Sequence, residues 1–495
     1  MHHRLYVFVA IGFSPMPAAS ASEPVSVDEA ATALKRGAEF FHTQVSIQGG
    51  YLWRYASDFS EREGEVPASP TTAWVQPPGT PSVGSAYLTA YELTGDGYYL
   101  DAARESALAL VHGQLESGGW DYRIVFDTAE RKRFAYRADG ASRPASTNQN
   151  KKRRNTTTLD DNTTQAALSF LMRVDHALKF EHTEIHEAAE YALASLLAAQ
   201  YPNGAWPQRF DAPPDAERFP VKRASYPDSW SRKYPNKDYR SYYTFNDNTM
   251  ADMIELMFLA AEIYDEPRYD RAGRRGGDFI LLAQMPEPQP GWAQQYDAKM
   301  HPAWARKFEP PSVTGAESQR VMETLLRLFE LTGDRKYLER LPRALAYFRR
   351  SQLDDGRLAR FFELKTNRPL YFTKDYRLTY SDADMPTHYG FKSGNRLDEI
   401  SARFERLTAT TESQKHRATA FQKPNRPMMS EKLTAKAQKL VQTQDERGAW
   451  VEPAPNRARS KIPTGTPSLG SRTFAANVVA LAQYIAASSP NASAL

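Results

Sequence analysis

The chain has 495 residues, 41% of them hydrophobic and 12% aromatic, which excludes a disordered protein and supplies a substantial core. A formal net charge of +4 excludes a global polycation, and the absence of cysteine excludes disulfides, thiolate metal sites and a cysteine nucleophile.

In chain order, His2, His3 and Arg4 precede an apolar run over residues 5–13 and the small-residue triplet Ala19-Ser20-Ala21. This pattern predicts a secretory signal over residues 1–21, too short to span a membrane, ahead of a single domain over 22–495. The mature protein is then expected to be soluble and exported to a bacterial periplasm or exterior. Helices are predicted to start near Val83, Asp161, Asp247, Glu317 and Leu469. Each is followed by a tight turn and a second helix that ends near a recurring glutamine: Gln44, Gln114, Gln200, Gln284, Gln352 or Gln444. The phrase Glu92-Leu93-Thr94-Gly95-Asp96 returns as Glu330-Leu331-Thr332-Gly333-Asp334, and Gly/Trp loops return at Trp206, Trp292 and Trp450. The interval of roughly 70–90 residues suits two helices and two loops. Strand-type alternation is confined to 358–364 and 370–373, and residues 401–430 read as a polar linker before a last helical unit. The predicted class is mainly all-α: helical hairpins closed into an α/α toroid-like barrel, with an open superhelix as the alternative.

In such a stack every first helix starts at the end where every second helix finishes. The phrases Asp160-Asp161-Asn162-Thr163 and Asn246-Asp247-Asn248-Thr249 both open first helices, so they share one rim. Each phrase alone reads as an N-cap, because Asp, Asn and Thr oxygens accept bonds from a first helical turn. A cap needs one acceptor, however, and oxygen-rich clusters suit a hard divalent cation. On the same rim fall Arg306, set beside aromatics and ahead of Pro310-Pro311, and the loop with Arg357, Arg360, Lys365 and Arg368. Arg306 alone reads as a salt-bridge partner of Glu309. Residues 131–154 hold nine Lys/Arg against Asp139, a local excess that attracts a polyanion or forms a solvated loop. Trp206, Trp292, Trp304, Phe361 and Tyr371 are sugar-stacking candidates, each equally a core residue. Zinc, nucleophile-elbow and phosphate-loop motifs are absent. Acids, arginines and a cation together suit a uronic acid polymer, since removal of the proton α to a carboxylate needs that carboxylate neutralised.

Six linked phrases carry a family resemblance: Thr158–Gln165, Asn203–Gln208, Thr244–Asn248, Gln294–Asp297, Ala305–Glu309 and Arg360–Arg368. In this order they resemble the pectate lyases of polysaccharide lyase family 10, the pectic acid lyase group, over roughly residues 35–400. The resemblance implies calcium-dependent β-elimination of polygalacturonate with 4,5-unsaturated products. It also implies Arg306 as catalytic base, Asp160, Asp161 and Asp247 around calcium, and Arg360 and Arg368 as substrate arginines. Asn248, Trp206 and Lys307 complete the expected substrate contacts. The expected partner is the acidic polysaccharide, with no nucleic acid, membrane or second subunit. Residues 122–155 and 211–243 read as insertions beside the rim. Alternatives are a lyase on another uronate polymer, an inverting glycoside hydrolase with paired carboxyls, and a non-catalytic binding protein.

Overall fold

The computed structural model describes residues 25–142, 153–409 and 418–488, so the expected signal segment lies outside the described residues. The helices are α1 Val27–Phe40, α2 Thr80–Thr94, α3 Gly97–Gly113, the single turn α4 Thr128–Arg131, α5 Thr163–Ala177, α6 Thr183–Ala198 and α7 Thr249–Tyr264. They continue with α8 Pro267–Ala283, α9 Gly315–Thr332, α10 Leu341–Arg350, α11 Leu397–Ala409, α12 Glu431–Thr443 and α13 Ser471–Ser488.

The repeated Thr-Gly-Asp phrase is a helix–turn–helix device. Gly95 and Gly333 end α2 and α9 at φ 75° and 72°, a conformation that costs a residue without Cβ little. The aspartate after each glycine then caps the next helical turn: Asp96 accepts from the Tyr98 N–H (2.9 Å) and Asp334 from the Lys336 N–H (3.0 Å). First helices form an inner layer, α2 packing on α5 and α5 on α7, with α9 packing on α11. The last described helix, α13, packs against both α2 and α1, so the first and last described helices meet and the assembly is toroid-like.

The recurring glutamines and tryptophans hold the outer layer together. Gln114 Nε2 donates to the carbonyls of Gly118 in its own loop and Ala188 in the next outer helix. Gln200 does the same with Gly204 and Ala272, Gln284 with Pro290 and Arg340, and Gln444 with Gly448 and Ala33. The last of these ties α12 to α1. Each loop tryptophan folds back on its own helix: the indoles of Trp120, Trp206, Trp292 and Trp450 donate to Leu110, Leu196, Ile280 and Leu440. Gly204, at φ +93°, lets its loop reach the neighbouring helix, because a Cβ there would lie 2.0 Å from the Arg275 carbonyl. Gln352 departs from the pattern and is exposed.

Two expectations are corrected. Strands are more numerous than periodicity suggested, because most are two- or three-residue ladders too short to show alternation. Thr157–Thr158 pairs with Arg209–Phe210, Tyr243–Thr244 with Gln295–Tyr296, and Ser312–Thr314 with Phe361–Glu363. Each ladder joins the segment before an inner helix to the segment after the following outer one, and so builds the rim. The expected linker over 401–430 begins as helix α11. Its described remainder is fastened across helix ends far from the rim: the Ala420 and Phe421 N–H groups donate to Glu262 (2.8 and 2.5 Å), and Arg327 and Arg173 donate to the Thr419 and Gln422 carbonyls. No described helix is long and apolar enough to cross a membrane.

Candidate active site

The two Asp-Asn-Thr phrases fold alike. Asp161 and Asn162 take φ of 51° and 55°, Asp247 and Asn248 47° and 61°, so each phrase carries two successive left-handed residues. Asp and Asn enter this region more readily than other side chains. The N-cap expectation fails at both places, since neither α5 nor α7 receives a side-chain cap bond. Instead the threonine hydroxyls close the turns, Thr163 onto the Asp160 carbonyl (2.8 Å) and Thr249 onto the Asn246 carbonyl (2.9 Å). The left-handed pair therefore turns the aspartates away from the helix starts. The two turns also touch one another, as the shared rim predicted.

Oxygens of Asp160, Asp161 and Asp247 come within 4.8 Å of one another. Ligand oxygens about 2.3–2.6 Å from a calcium ion can be no more than about 5 Å apart, so this all-oxygen set fits such an ion. Charge supports the fit. Burial and the charges of Asp160 and Asp247 push the Asp161 carboxyl up to about 7. Burial and Asp160 likewise raise Asp247, while Arg306 and Arg360 oppose that rise. Asp161 and Asp247 therefore resist ionisation, and a bound cation would relieve the repulsion. Asp160 is anchored by the protein: Gln208 Nε2 (3.0 Å), the Tyr122 hydroxyl (2.9 Å) and Arg209 Nη2 (3.2 Å) all donate to it.

The facing wall is basic. Arg306 Nη2 pairs with Glu309 Oε1 at 2.5 Å, and its backbone N–H donates to Glu309 Oε2 (3.0 Å), so one buried carboxylate fixes both ends of the residue. Burial works against the guanidinium charge, but the bond to Glu309 and the attraction of Glu309, Tyr389 and Asp247 outweigh it and hold Arg306 firmly cationic. Arg360 pairs with fully buried Glu317 at 2.5 Å. Tyr389 stands between the arginines, 5.4 Å from the Arg306 guanidinium and 4.5 Å from that of Arg360, and its hydroxyl donates to Glu309 (2.9 Å).

The structure thus brings Asp160, Asp161, Asp247, Arg306 and Arg360 together. Asn248 lines the space inside the ring beside Arg320. Arg368 lies farther along the strand hairpin, on the Tyr380 ring. Lys307 points away onto the Tyr376 ring (3.5 Å). The substrate role expected for Trp206 is overturned, because Trp206 is 0% exposed and its N–H is spent on Leu196. Trp292 is buried in the same way. Four contributors escaped sequence reasoning: Tyr389, Glu317, Tyr122 and Arg209. Two carried a signal: Glu317 as an expected first-helix start, and Arg209, which directly follows the phrase that ends in Gln208.

Residues 127–358 match the model of the pectic acid lyase family, a span that includes all three aspartates, Arg306 and Glu309. No curated protein matches the chain. Among solved structures, the family 10 polysaccharide lyase from Cellvibrio cellulosa is 21% identical over 66% of this chain and 97% of that one, with a TM-score of 0.42. A mutant of that enzyme in complex with trigalacturonic acid is 20% identical over 66% and 98%, with a TM-score of 0.43. A family 76 glycoside hydrolase (mannosidase) from Bacteroides thetaiotaomicron is 10% identical over 94% and 99%, with a TM-score of 0.42.

Proposed function

We propose, from the premise that this chain is a polysaccharide lyase of the pectic acid lyase family through residues 127–358, that it cleaves polygalacturonate by calcium-dependent β-elimination outside the cytoplasm and releases 4,5-unsaturated oligogalacturonides. One observation carries the reading: three carboxylates with oxygens within 4.8 Å face two arginines across a rim.

Asp160, Asp161 and Asp247 would hold the ion, which as a hard oxygen-binding cation neutralises a substrate carboxylate and makes the neighbouring C5–H more acidic. Arg360, with one arm held by Glu317, presents its remaining donors to that carboxylate. Arg306 takes the C5 proton. The C5–H electrons become the C4–C5 double bond, the C4–O glycosidic bond breaks, and the leaving oxygen takes a proton from water. Arg306 must reach this step as a neutral guanidine, which Glu309 and Asp247 oppose. The like charge of Arg360, and engagement of the Asp247 carboxylate in ion binding, work toward neutrality.

The test incubates polygalacturonate and calcium with wild type, with Arg306→Ala and with a chelated control, following enoate absorbance and reducing ends together. New absorbance in wild type alone is expected. Reducing ends without absorbance indicate hydrolysis and refute the lyase chemistry. Absorbance that survives Arg306→Ala refutes the base assignment.

A further inference from the structure

The 211–243 segment docks on the rim at its middle. Trp304 Nε1 donates to the Ser231 carbonyl (2.7 Å), and the Tyr234 ring lies 5.7 Å from that of Trp304. Between these anchors Arg232 pairs with Glu363 and donates to the Tyr380 hydroxyl (2.7 Å), which itself donates to Glu363 (2.9 Å). Glu363 is 3% exposed and Arg232 56%, so the carboxylate is satisfied from within while the guanidinium stays at the surface. Arg368 sits over the same ring, 3.4 Å from the Tyr380 centroid against 5.6 Å for Arg232. Glu363 also accepts from Thr366, which leaves Arg368 exposed and without an ion-pair partner among the described residues.

We propose that Arg232 and Arg368, gathered on Tyr380, form a distal subsite for one carboxylate of an oligouronate, built by the 211–243 segment; the inference rests on the lyase reading above. Two guanidinium groups on one tyrosine repel each other, and Glu363 offsets only one of them. A carboxylate between them removes that repulsion and meets planar donor pairs suited to two-point binding. Tyr380, and Trp230 at 5.4 Å from Arg232, offer ring faces for the attached sugar. Position sets the subsite apart from the reaction centre. Glu363 ends the strand Phe361–Glu363, which begins one residue after Arg360. At about 3.3 Å per residue this is roughly 10 Å from Arg360, beyond the sugars that flank the broken bond. The segment therefore favours longer chains over short ones.

Binding, not turnover, tests the subsite. In the Arg306→Ala background, where oligomers persist, affinities for hexagalacturonate and trigalacturonate are measured by calorimetry with calcium present. Arg232→Gln, which keeps a donor for Glu363, and Arg368→Gln, which disturbs no ion pair, are each expected to lower the hexamer-to-trimer affinity ratio about tenfold, the weight of one lost charge-assisted bond. A ratio unchanged in both variants overturns the subsite while the lyase reading stands on wild-type enoate formation. If neither oligomer binds and wild type forms no enoate, both readings fall together.

Discussion

Replacing Glu309 by glutamine probes Arg306 without moving it far. The amide keeps the size of the carboxylate and can still accept from Arg306 and from the Tyr389 hydroxyl, but the negative charge is gone. In the native protein that charge lies 2.5 Å from the nearest Arg306 nitrogen. Two unit charges about 4 Å apart attract by roughly 4 kcal/mol at an effective dielectric of about 20, which corresponds to about 3 pH units. The Arg306 side chain is 42% exposed, and water screens much of this, so a shift of about 1–2 units is the realistic expectation. The assay is the pH profile of enoate formation at saturating polygalacturonate and calcium. Wild type should gain activity far into the alkaline range, because Glu309 and Asp247 hold Arg306 cationic. In Glu309→Gln that rising limb should move about 1–2 units toward acid, on a lower plateau because the Arg306 backbone N–H has lost its acceptor. A limb that stays at its wild-type position, in a variant that still folds and turns over, refutes Arg306 as the group whose proton loss controls the rate.

Asp161 sets a second pH dependence. Its carboxyl, ordinarily near 3.8, is pushed up to about 7 in the fold, so the folded chain holds a proton there that the unfolded chain releases. The metal-free protein should lose stability as pH rises from about 3.8 to about 7, and calcium should restore it above that window; scanning calorimetry with and without chelator checks this, and an Asp161→Asn variant with the same slope refutes it. Trp206→Phe should cost about 1–3 kcal/mol in denaturant unfolding, through a small cavity and an unpaired Leu196 carbonyl, with unchanged oligogalacturonate affinity per folded molecule. Lost affinity would reinstate Trp206 as a substrate residue. Gln200→Leu should cost about 1–3 kcal/mol, because it strips donors from the Gly204 and Ala272 carbonyls, whereas Gln352→Leu should stay within about 0.5 kcal/mol.

Much of the fold was legible because its signals are local. Thr94-Gly95-Asp96 ends one helix and caps the next through bonds spanning a few residues, so the phrase announces the turn wherever it occurs. The shared rim followed from repetition alone, since every unit returns its first helix to the same end. The recurring glutamines marked helix ends correctly, yet their partners, 72 to 74 residues away in Gln200 and Gln114, are visible only once the outer helices lie side by side. Trp206 shows the converse. Its place in a Gly/Trp loop was readable, but an aromatic on a rim loop can face sugar or core, and only packing decided for the core. The short ladders stayed hidden because two residues hold too little alternation to register.

The sequence by itself determined the helical units, their order, and the oxygen- and guanidinium-rich chemistry of one end, because caps, turns and periodicity act over a few residues. Tertiary structure decided what those groups do. Two left-handed residues in each Asp-Asn-Thr phrase turned expected caps into carboxylates that gather on the rim. Packing of two inner-helix starts against the loop before α9 and the strand after α10 set Asp161 and Asp247 against Arg306 and Arg360, and brought Tyr389 between the arginines. Such meetings join residues as far apart in the chain as Asp161 and Arg306, where no local pattern reaches and where distance and burial set both charge state and reach.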